Sequence, residues 1–540
     1  MHAFPPKQVD QLVRDGWWSG QVWSDHLRRH ATETPGRPAL VDPPNKADHT
    51  GTPPRRLTWA EVDAEVERLA AALHAAGVRP DDVVGVQLPN CVELPIALLA
   101  VGRVGAIVSP FPIQYRRHEL TRMGRRADLV ALVTYAARVA EADALKADLP
   151  TLHTVLDVAD LPEAAPAPAH RAEANDVITL AWTSGTEGEP KGVPRAYGDW
   201  EVVGHATSQS PGLRADDVLL NLFPMVNAGG LGGMFMPWLL LGATLVQHHP
   251  FSLEVFLGQI ADERVTYTCA PPLVLDTIVG DPSVFGRRDL STLRAVGSGS
   301  APLNGWMIQA WERDHGVEVL NLFGSNEGGI LFADPDTVPD PYERGRLFPR
   351  YGNPDMPFRH AVGHAMQGRL VDLDAGTEVT EPGHPGELRL KGPTIFPGYW
   401  GGGRDGFDED GWFCTGDVFE ISADRPDHLV HVDRAKDLIV RGGYKISAAE
   451  LESLVSADPA VAEVAAVAMP DARLGERVCV FVVAAPGHEA PSLEEVVARL
   501  RAQDVATFKL PERLEVVAAL PRNPVGKVLK RELRERLATA

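Results

Sequence analysis

Cysteine is scarce in this chain. Four occur in 540 residues, Cys91, Cys269, Cys414 and Cys479. They lie far apart without C-x-x-C spacing, which excludes a disulfide framework or thiolate zinc site and points to a reduced, cytoplasmic setting. Basic charge is also short, with a formal net charge of -21. Nucleic acid is a poor partner for such a surface, because its phosphates call for a basic face. The N-terminus has no basic region leading into an apolar core, so no signal peptide is expected. Long apolar runs are missing too. The most apolar stretch, 229–241, is too short and too rich in glycine to span a bilayer. The Walker pattern G-x-x-x-x-G-K-[ST] is absent, even at Gly526-Lys527, where Val528 follows, so a P-loop kinase or ATPase is disfavoured. His248 and His249 are neighbours, and neighbours point apart on a strand; the pair reads as structural, and no metal cluster is expected from it.

What remains is a globular composition in a chain too long for one ordinary core, so two or more domains are expected. Trp17, Trp18 and Trp23 mark an N-terminal segment that docks on the main body. Thr58 and Glu61 have capping-box spacing. Val62, Val66, Leu69 and Leu73 follow at helical intervals, and Gly77 is placed to end that helix. Apolar strand-like runs at 82–88, 106–108, 129–135 and 177–182 alternate with helical patterns, and the alternation continues through 218–223, 243–247, 265–270, 293–297 and 317–323. That pattern predicts an α/β fold with parallel sheets covered on both faces. A stretch rich in alanine, proline and acid at 159–174 reads as a surface linker. Past residue 380 short, turn-bounded runs predict a small β-rich part, followed from 437 by a compact α+β module. Ser447/Glu450 and Ser492/Glu495 repeat the capping-box spacing there.

The stretch that carries most information runs from Thr183 to Gly192, T-S-G-T-E-G-E-P-K-G, directly after the apolar strand 177–182. Glycine allows close approach of backbone to an anion. Successive N–H groups and hydroxyls form an anion nest, and Lys191 adds a cation at the end. Capture of a polyphosphate is the chemistry implied. The segment closely resembles the phosphate loop of the adenylate-forming (AMP-binding) superfamily, T-S-G-T-T-G-x-P-K-G, with Glu187 in the fifth place. Acyl-CoA synthetases, aryl acid ligases, peptide-synthetase adenylation domains and luciferases belong to it.

Four further blocks match that superfamily in order. Gly299-Ser300-Ala301-Pro302 resembles the loop beside the adenine. Asn321-Leu322-Phe323-Gly324-Ser325-Asn326-Glu327 resembles the Y-G-x-T-E block, with Phe323 lacking the hydroxyl and Asn326 replacing threonine. Thr415-Gly416-Asp417 and Asp433-Arg434-Ala435-Lys436-Asp437 are similar to T-G-D and G-R-x-K-D, although Asp433 stands where many relatives have glycine. Asn523-Pro524-Val525-Gly526-Lys527 resembles the loop that delivers a catalytic lysine.

The resemblance implies two domains, 1–435 for adenylation and 436–540 as a mobile lid. It implies binding of ATP by Thr183, Ser184, Gly185, Thr186, Gly188, Lys191, Gly299, Ser300, Ala301, Asn321, Phe323, Gly324, Asn326, Asp417, Arg434 and Lys527. Lys527, Glu327 and Thr186 are its candidate catalytic residues, with Glu327 holding Mg2+. Asn227, Ala228, Gly229 and Gly299 would line the acyl pocket, Lys436 would be the hinge, and Gly442, Gly443 and Lys445 would face the thiol. The reaction expected is ATP-dependent activation of a small carboxylic acid, aromatic or alicyclic rather than an amino acid, since no acidic partner for an α-amine is found. The acyl group then passes to CoA or to the phosphopantetheine of a separate acyl carrier protein. A luciferase-like oxygenase shares these motifs; a non-catalytic binding module has no use for five chemically placed residues. The oligomeric state is open, a homodimer included.

Overall fold

The apolar runs become strands wherever glycine, proline or a helix cap bounds them. In the computed structural model, which describes residues 1–183, 190–286, 288–299, 303–442, 444–471, 473–503, 505–523 and 526–538, Val83–Val86, Ile107–Pro110, Ala131–Thr134 and Val177–Trp182 are completely buried strands. They belong to a six-stranded sheet whose order is Thr154–Asp157, Ala131–Thr134, Val83–Val86, Ile107–Pro110, Val177–Trp182, Gly192–Ala196. All neighbours run parallel except the last pair. A second sheet of eight strands runs in the order Ile330–Ala333, Glu318–Gly324, Ala295–Gly299, Tyr267–Cys269, Val218–Asn221, Thr244–Gln247, Pro38–Val41, Arg56–Thr58. It is parallel through its middle and antiparallel at both edges. Burial on two faces explains why these strands lack polar alternation.

The chain divides into two compact units, one of Met1–Thr183, Pro190–Gly368 and Leu390–Phe413, the other of Arg369–Arg389 and Cys414–Ala540. Both sheets above lie in the first. Its helix Trp59–Ala75 begins at the capping box, with Thr58 accepting from the Glu61 N–H and Glu61 accepting from the Thr58 N–H. Val62, Val66, Leu69 and Leu73 are all buried in the same core as the strands. Trp18 and Trp23 are both 2% exposed, so the N-terminal segment docks as expected. Trp23 meets Tyr197 and Phe235 edge-on, and a Cβ at Gly198 would run into the Trp18 ring.

In the second unit the strands His428–Arg434, Phe413–Ile421, Gly386–Lys391, Gln367–Val371 and Glu378–Val379 lie side by side in that order. A separate sheet is built from Tyr444–Ile446, Ile439–Arg441, Gly475–Ala484 and Val461–Asp471, with Arg513–Val516 beside Gly475–Ala484. Helices Ala448–Ser456 and Leu493–Ala502 start at Ser447 and Ser492, whose side chains accept from the N–H groups of Glu450 and Glu495. Among the described residues no helix is long and apolar enough to cross a membrane.

Candidate active site

In the first unit Thr183 and Lys191, the described ends of the phosphate-type segment, continue from two antiparallel strands. Val177–Trp182 pairs with Gly192–Ala196, Trp182 opposite Gly192, and the Thr183 N–H donates to the Lys191 carbonyl at 3.0 Å. Lys191 is exposed, and its ammonium lies 4.6 Å from the centre of the Tyr399 ring. Beyond the end of strand Glu318–Gly324 the chain reverses in a tight turn. The Ser325 N–H donates to the Gly329 carbonyl and the Gly328 N–H to the Ser325 carbonyl. Gly328 has φ +94°, and a Cβ there would run into the Thr394 carbonyl oxygen; only glycine serves. Glu327 sits on this turn, 9% exposed, and its Oε1 accepts from the Tyr399 hydroxyl at 3.0 Å.

Beneath the turn lies Arg195, fully buried. Its Nη1 donates to the Asn326 carbonyl at 3.2 Å, and its Nε stands 3.6 Å from Asp199 Oδ2. Burial pulls the guanidinium below its ordinary range while Asp199 and Glu327 pull it back. Burial raises Asp199 to about 6, against the lowering effect of Arg195. The Asn326 side chain turns its oxygen to the Ala228 N–H at 2.8 Å, so the amide NH2 is its donor end. Asn227 caps the next segment, accepting from the N–H groups of Gly229 and Gly230. Residues 231–235 then form a π-helical turn, a feature frequent at functional sites. Gly299 passes so close to the next strand that a Cβ would strike the Leu322 carbonyl oxygen. Asn321 spends its NH2 on the carbonyls of Arg344 and Gly345, which ties down the strand that carries Phe323; that ring meets Phe348 edge-on at 6.2 Å.

In the second unit antiparallel register sets Asp417 directly opposite Arg434. Arg434 Nε lies 2.6 Å from Asp417 Oδ1, and Asp417 is 2% exposed. His431 Nε2 stands 3.7 Å from the same oxygen. The Gly416 N–H donates to Glu387. Lys527 shares this neighbourhood from the far end of the chain. Although exposed as a residue, its ammonium is held below the usual lysine value of 10.5 by burial and the like charge of Arg434, with Asp417 opposing and Lys436 adding to the effect. The Lys527 N–H donates to Asn523 Oδ1, and its carbonyl accepts from the Asn523 N–H. The Lys436 carbonyl and the Asp437 carboxylate both accept from Arg534 Nη2, at 3.2 Å and 2.6 Å. Gly442 takes φ +57°, and Lys445 pairs with Asp374 at 2.7 Å.

The structure thus brings Glu327 near Lys191 in one unit through the shared Tyr399; in the other it pairs Arg434 with Asp417, and both charges act on Lys527. Ser184, Gly185, Thr186, Gly188, Ser300, Ala301 and Gly443 lie outside the described residues. Sequence reasoning missed Tyr399, Arg195 and Asp199. It also left unexplained the acid at 433, which is buried and structural: Asp433 accepts from Ser447 Oγ and from the Ala449 N–H at the start of helix Ala448–Ser456. His248 proves structural, its two ring nitrogens engaged by Gln259 and the Ser252 N–H. A single carboxylate at Glu327 suits magnesium, which takes one or two protein acids and completes its shell with water and phosphate oxygens. Among the described residues no group of three or more His, Cys, Asp or Glu forms a protein cage for a metal.

Comparison with known proteins gives the family. Residues 27–400 match the family model of the AMP-binding enzymes, and residues 450–527 that of the AMP-binding enzyme C-terminal domain. The chain is 30% identical to a 2-hydroxy-7-methoxy-5-methyl-1-naphthoate–CoA ligase of Streptomyces carzinostaticus, across 98% of this chain and 96% of that one. It is 31% identical to the salicyl-AMP ligase / salicyl-S-ArCP synthetase of Mycobacterium tuberculosis, across 99% and 94%. Among solved structures it is similar to the O-succinylbenzoate coenzyme A synthetase of Bacillus subtilis in complex with ATP and magnesium ion, with TM-score 0.80 and 25% identity over 96% of this chain and 100% of that one.

Proposed function

The chain belongs to the AMP-binding enzyme family, and as such an AMP-forming acid–thiol ligase we propose that it takes an aryl or similar small carboxylic acid and transfers it, through the acyl-adenylate, to the thiol of CoA. The observation that carries this reading is the pairing of Arg434 with Asp417, set opposite each other by strand register, with the charges of both acting on Lys527. Those two residues are separated in sequence, and the lysine comes from a third segment.

The chemical problem is the approach of one anion to another. A carboxylate oxygen attacks the α-phosphorus of ATP, forming the acyl–phosphate bond as the bond to pyrophosphate breaks. Positioning and electrostatic stabilisation are what a protein contributes to such a transfer. Lys191 and the donors of the 183–192 loop bind the polyphosphate. Phe323 lies against the adenine, and Asp417 accepts from the ribose hydroxyls with Arg434 beside it. The NH2 of Asn326 is oriented to donate to an α-phosphate oxygen, because its own oxygen is held by Ala228. Glu327 would hold magnesium, whose charge offsets that of the phosphates. Lys527 brings its ammonium to the carboxylate and the α-phosphate and steadies the charge that grows between them. In the second half-reaction the thiol attacks the acyl carbonyl and AMP leaves; Gly442, Gly443 and Lys445 form the thiol side. A boundary at 435/436, with Lys436 as hinge, separates the adenylating part from the part that moves.

An aryl acid is favoured by the kinship with enzymes named for naphthoate and salicylate. The small residues Ala228 and Gly229 beside Asn227 leave width for a ring. Of those relatives, one is named for a CoA thioester and one for a salicyl-S-ArCP product, so the acceptor is decided by experiment. A panel of carboxylic acids is read first by ATP–pyrophosphate exchange, then by thioester formation with CoA and with a phosphopantetheinyl carrier. Exchange with an aryl acid and rapid acylation of CoA is the expected result. Acylation of the carrier alone overturns the choice of CoA, and absence of exchange with every acid overturns the reading as a whole.

A further inference from the structure

Residues 396–400 connect the two charged elements of the first unit. At one end the Phe396 N–H donates to the Glu327 carbonyl at 2.9 Å; at the other the Trp400 N–H donates to the Gly192 carbonyl at the same distance. The segment is therefore tied both to the turn that carries Glu327 and to the hairpin that carries Lys191. Tyr399 lies between these ties. Its ring is packed edge-on against Phe396 at 4.9 Å, and Phe396 in turn stacks on Phe407 at 5.4 Å. A ring so fixed has a fixed hydroxyl. That hydroxyl donates to Glu327 Oε1, and the face of the same ring carries the Lys191 ammonium.

We infer that Tyr399 is the positioning residue of the metal and phosphate subsite: its hydroxyl orients the Glu327 carboxylate for the divalent cation, and its ring holds Lys191 over the place of the polyphosphate. The inference rests on the proposed roles of Glu327 and Lys191. A carboxylate with one oxygen committed to a fixed donor presents the other in one direction, and such supporting hydrogen bonds carry a large share of metal affinity. An ammonium on an aromatic face is held by a fraction of the ring's electrostatic attraction, weakly enough to be yielded to a phosphate.

The test uses binding, not turnover. Calorimetry measures the dissociation constant of α,β-methylene-ATP, which does not transfer its α-phosphate, across a Mg2+ titration. Tyr399→Phe removes only the hydroxyl. It is expected to raise the Mg2+ concentration needed for half-maximal tightening roughly 10-fold, with affinity at saturating Mg2+ close to wild type. Tyr399→Leu removes the ring as well and is expected to lose a further factor of about three at saturating Mg2+. Glu327→Gln separates this inference from the reading beneath it. If Glu327→Gln loses its Mg2+ dependence while Tyr399→Phe keeps the wild-type curve, the role of Tyr399 is overturned and that of Glu327 stands. If Glu327→Gln also keeps the wild-type curve, the metal assignment falls and the inference with it. In the Glu327→Gln background, Tyr399→Phe should add nothing to the Mg2+ dependence, because the tyrosine acts on the metal only through the carboxylate that the glutamine replaces; an additive loss would overturn the coupling.

Discussion

At the scale of single residues, Lys527 is the most exposed to test. Lys527→Ala should lower ATP–pyrophosphate exchange by roughly 10²–10³-fold, the loss typical of one transition-state donor. Thioester formation from preformed acyl-adenylate should stay near wild type; near-normal exchange in that variant would reject the assignment. The depressed ammonium gives a second handle. The charged form is the active one, so activity is full well below its pKa and lost as pH rises through it. Since burial and Arg434 hold that pKa below 10.5, kcat/KM for ATP, which reports the free enzyme, should fall on the alkaline side before an ordinary lysine would titrate. In Lys527→Arg the charge persists to higher pH, and the alkaline fall of whatever activity remains should move upward or vanish. Motif spacing singled out Lys527, Glu327, Asp417 and Arg434 as candidates, because each is set in a block that resembles a family motif; the structure pairs Arg434 with Asp417. Tyr399 was not legible: it stands 72 residues from Glu327, and a tyrosine after Pro-Gly has no local signature of a partner so distant. Arg195 reads in sequence as an ordinary alternating strand residue. Only the closure of the 326–328 turn over it shows why a fully buried cation is placed there.

Among the elements, the helix Ala448–Ser456 shows how a departure from a family pattern acquires a physical reason. Its start is fastened to the strand His428–Arg434 by Asp433, which takes the Ala449 N–H at 3.0 Å and the Ser447 hydroxyl at 3.3 Å. Asp433→Ala leaves the Ala449 N–H without this acceptor in a site 4% exposed, while the Ser447 hydroxyl keeps the Val432 carbonyl. The cost should be about 1–3 kcal/mol, visible as a lower midpoint in thermal or urea unfolding. Adenylation at low temperature should change much less, since the carboxylate is turned toward the helix. An unaltered unfolding midpoint would show that the cap carries no energy. Helices of this kind were readable in advance, because Ser or Thr followed three residues later by Glu announces its own start; Thr58, Ser447 and Ser492 all do so. The strands were readable by their uniform apolarity. Sheet order was not: the neighbours of Val83–Val86 are Ala131–Thr134 and Ile107–Pro110, and pairings across such distances are written in packing, not in any local pattern.

For the whole molecule the question is how one chain runs two half-reactions with different demands. In the proposed assignment adenylation needs the ammonium of Lys527 at the nucleotide, and thioester formation needs room for a pantetheine arm beside the glycines at 442 and 443. If the part after residue 435 turns between these tasks, as proposed, the backbone must change torsion at a small number of positions. Lys436 is placed for this, directly after the Asp417–Arg434 strand pair. Arg534 of the last helix donates to its carbonyl and to the neighbouring Asp437, a side-chain clamp on the proposed hinge. Lys436→Pro would fix φ near −65° and retain one arrangement. Exchange of pyrophosphate should then survive within several-fold, while acylation of CoA from preformed adenylate falls by on the order of 10²-fold, the scale of a misplaced reacting group. Lys436→Ala, which keeps the torsion free, should retain both steps. Equal loss of both half-reactions in the proline variant, or undiminished acylation of CoA, would mean that the torsion at this residue does not separate them.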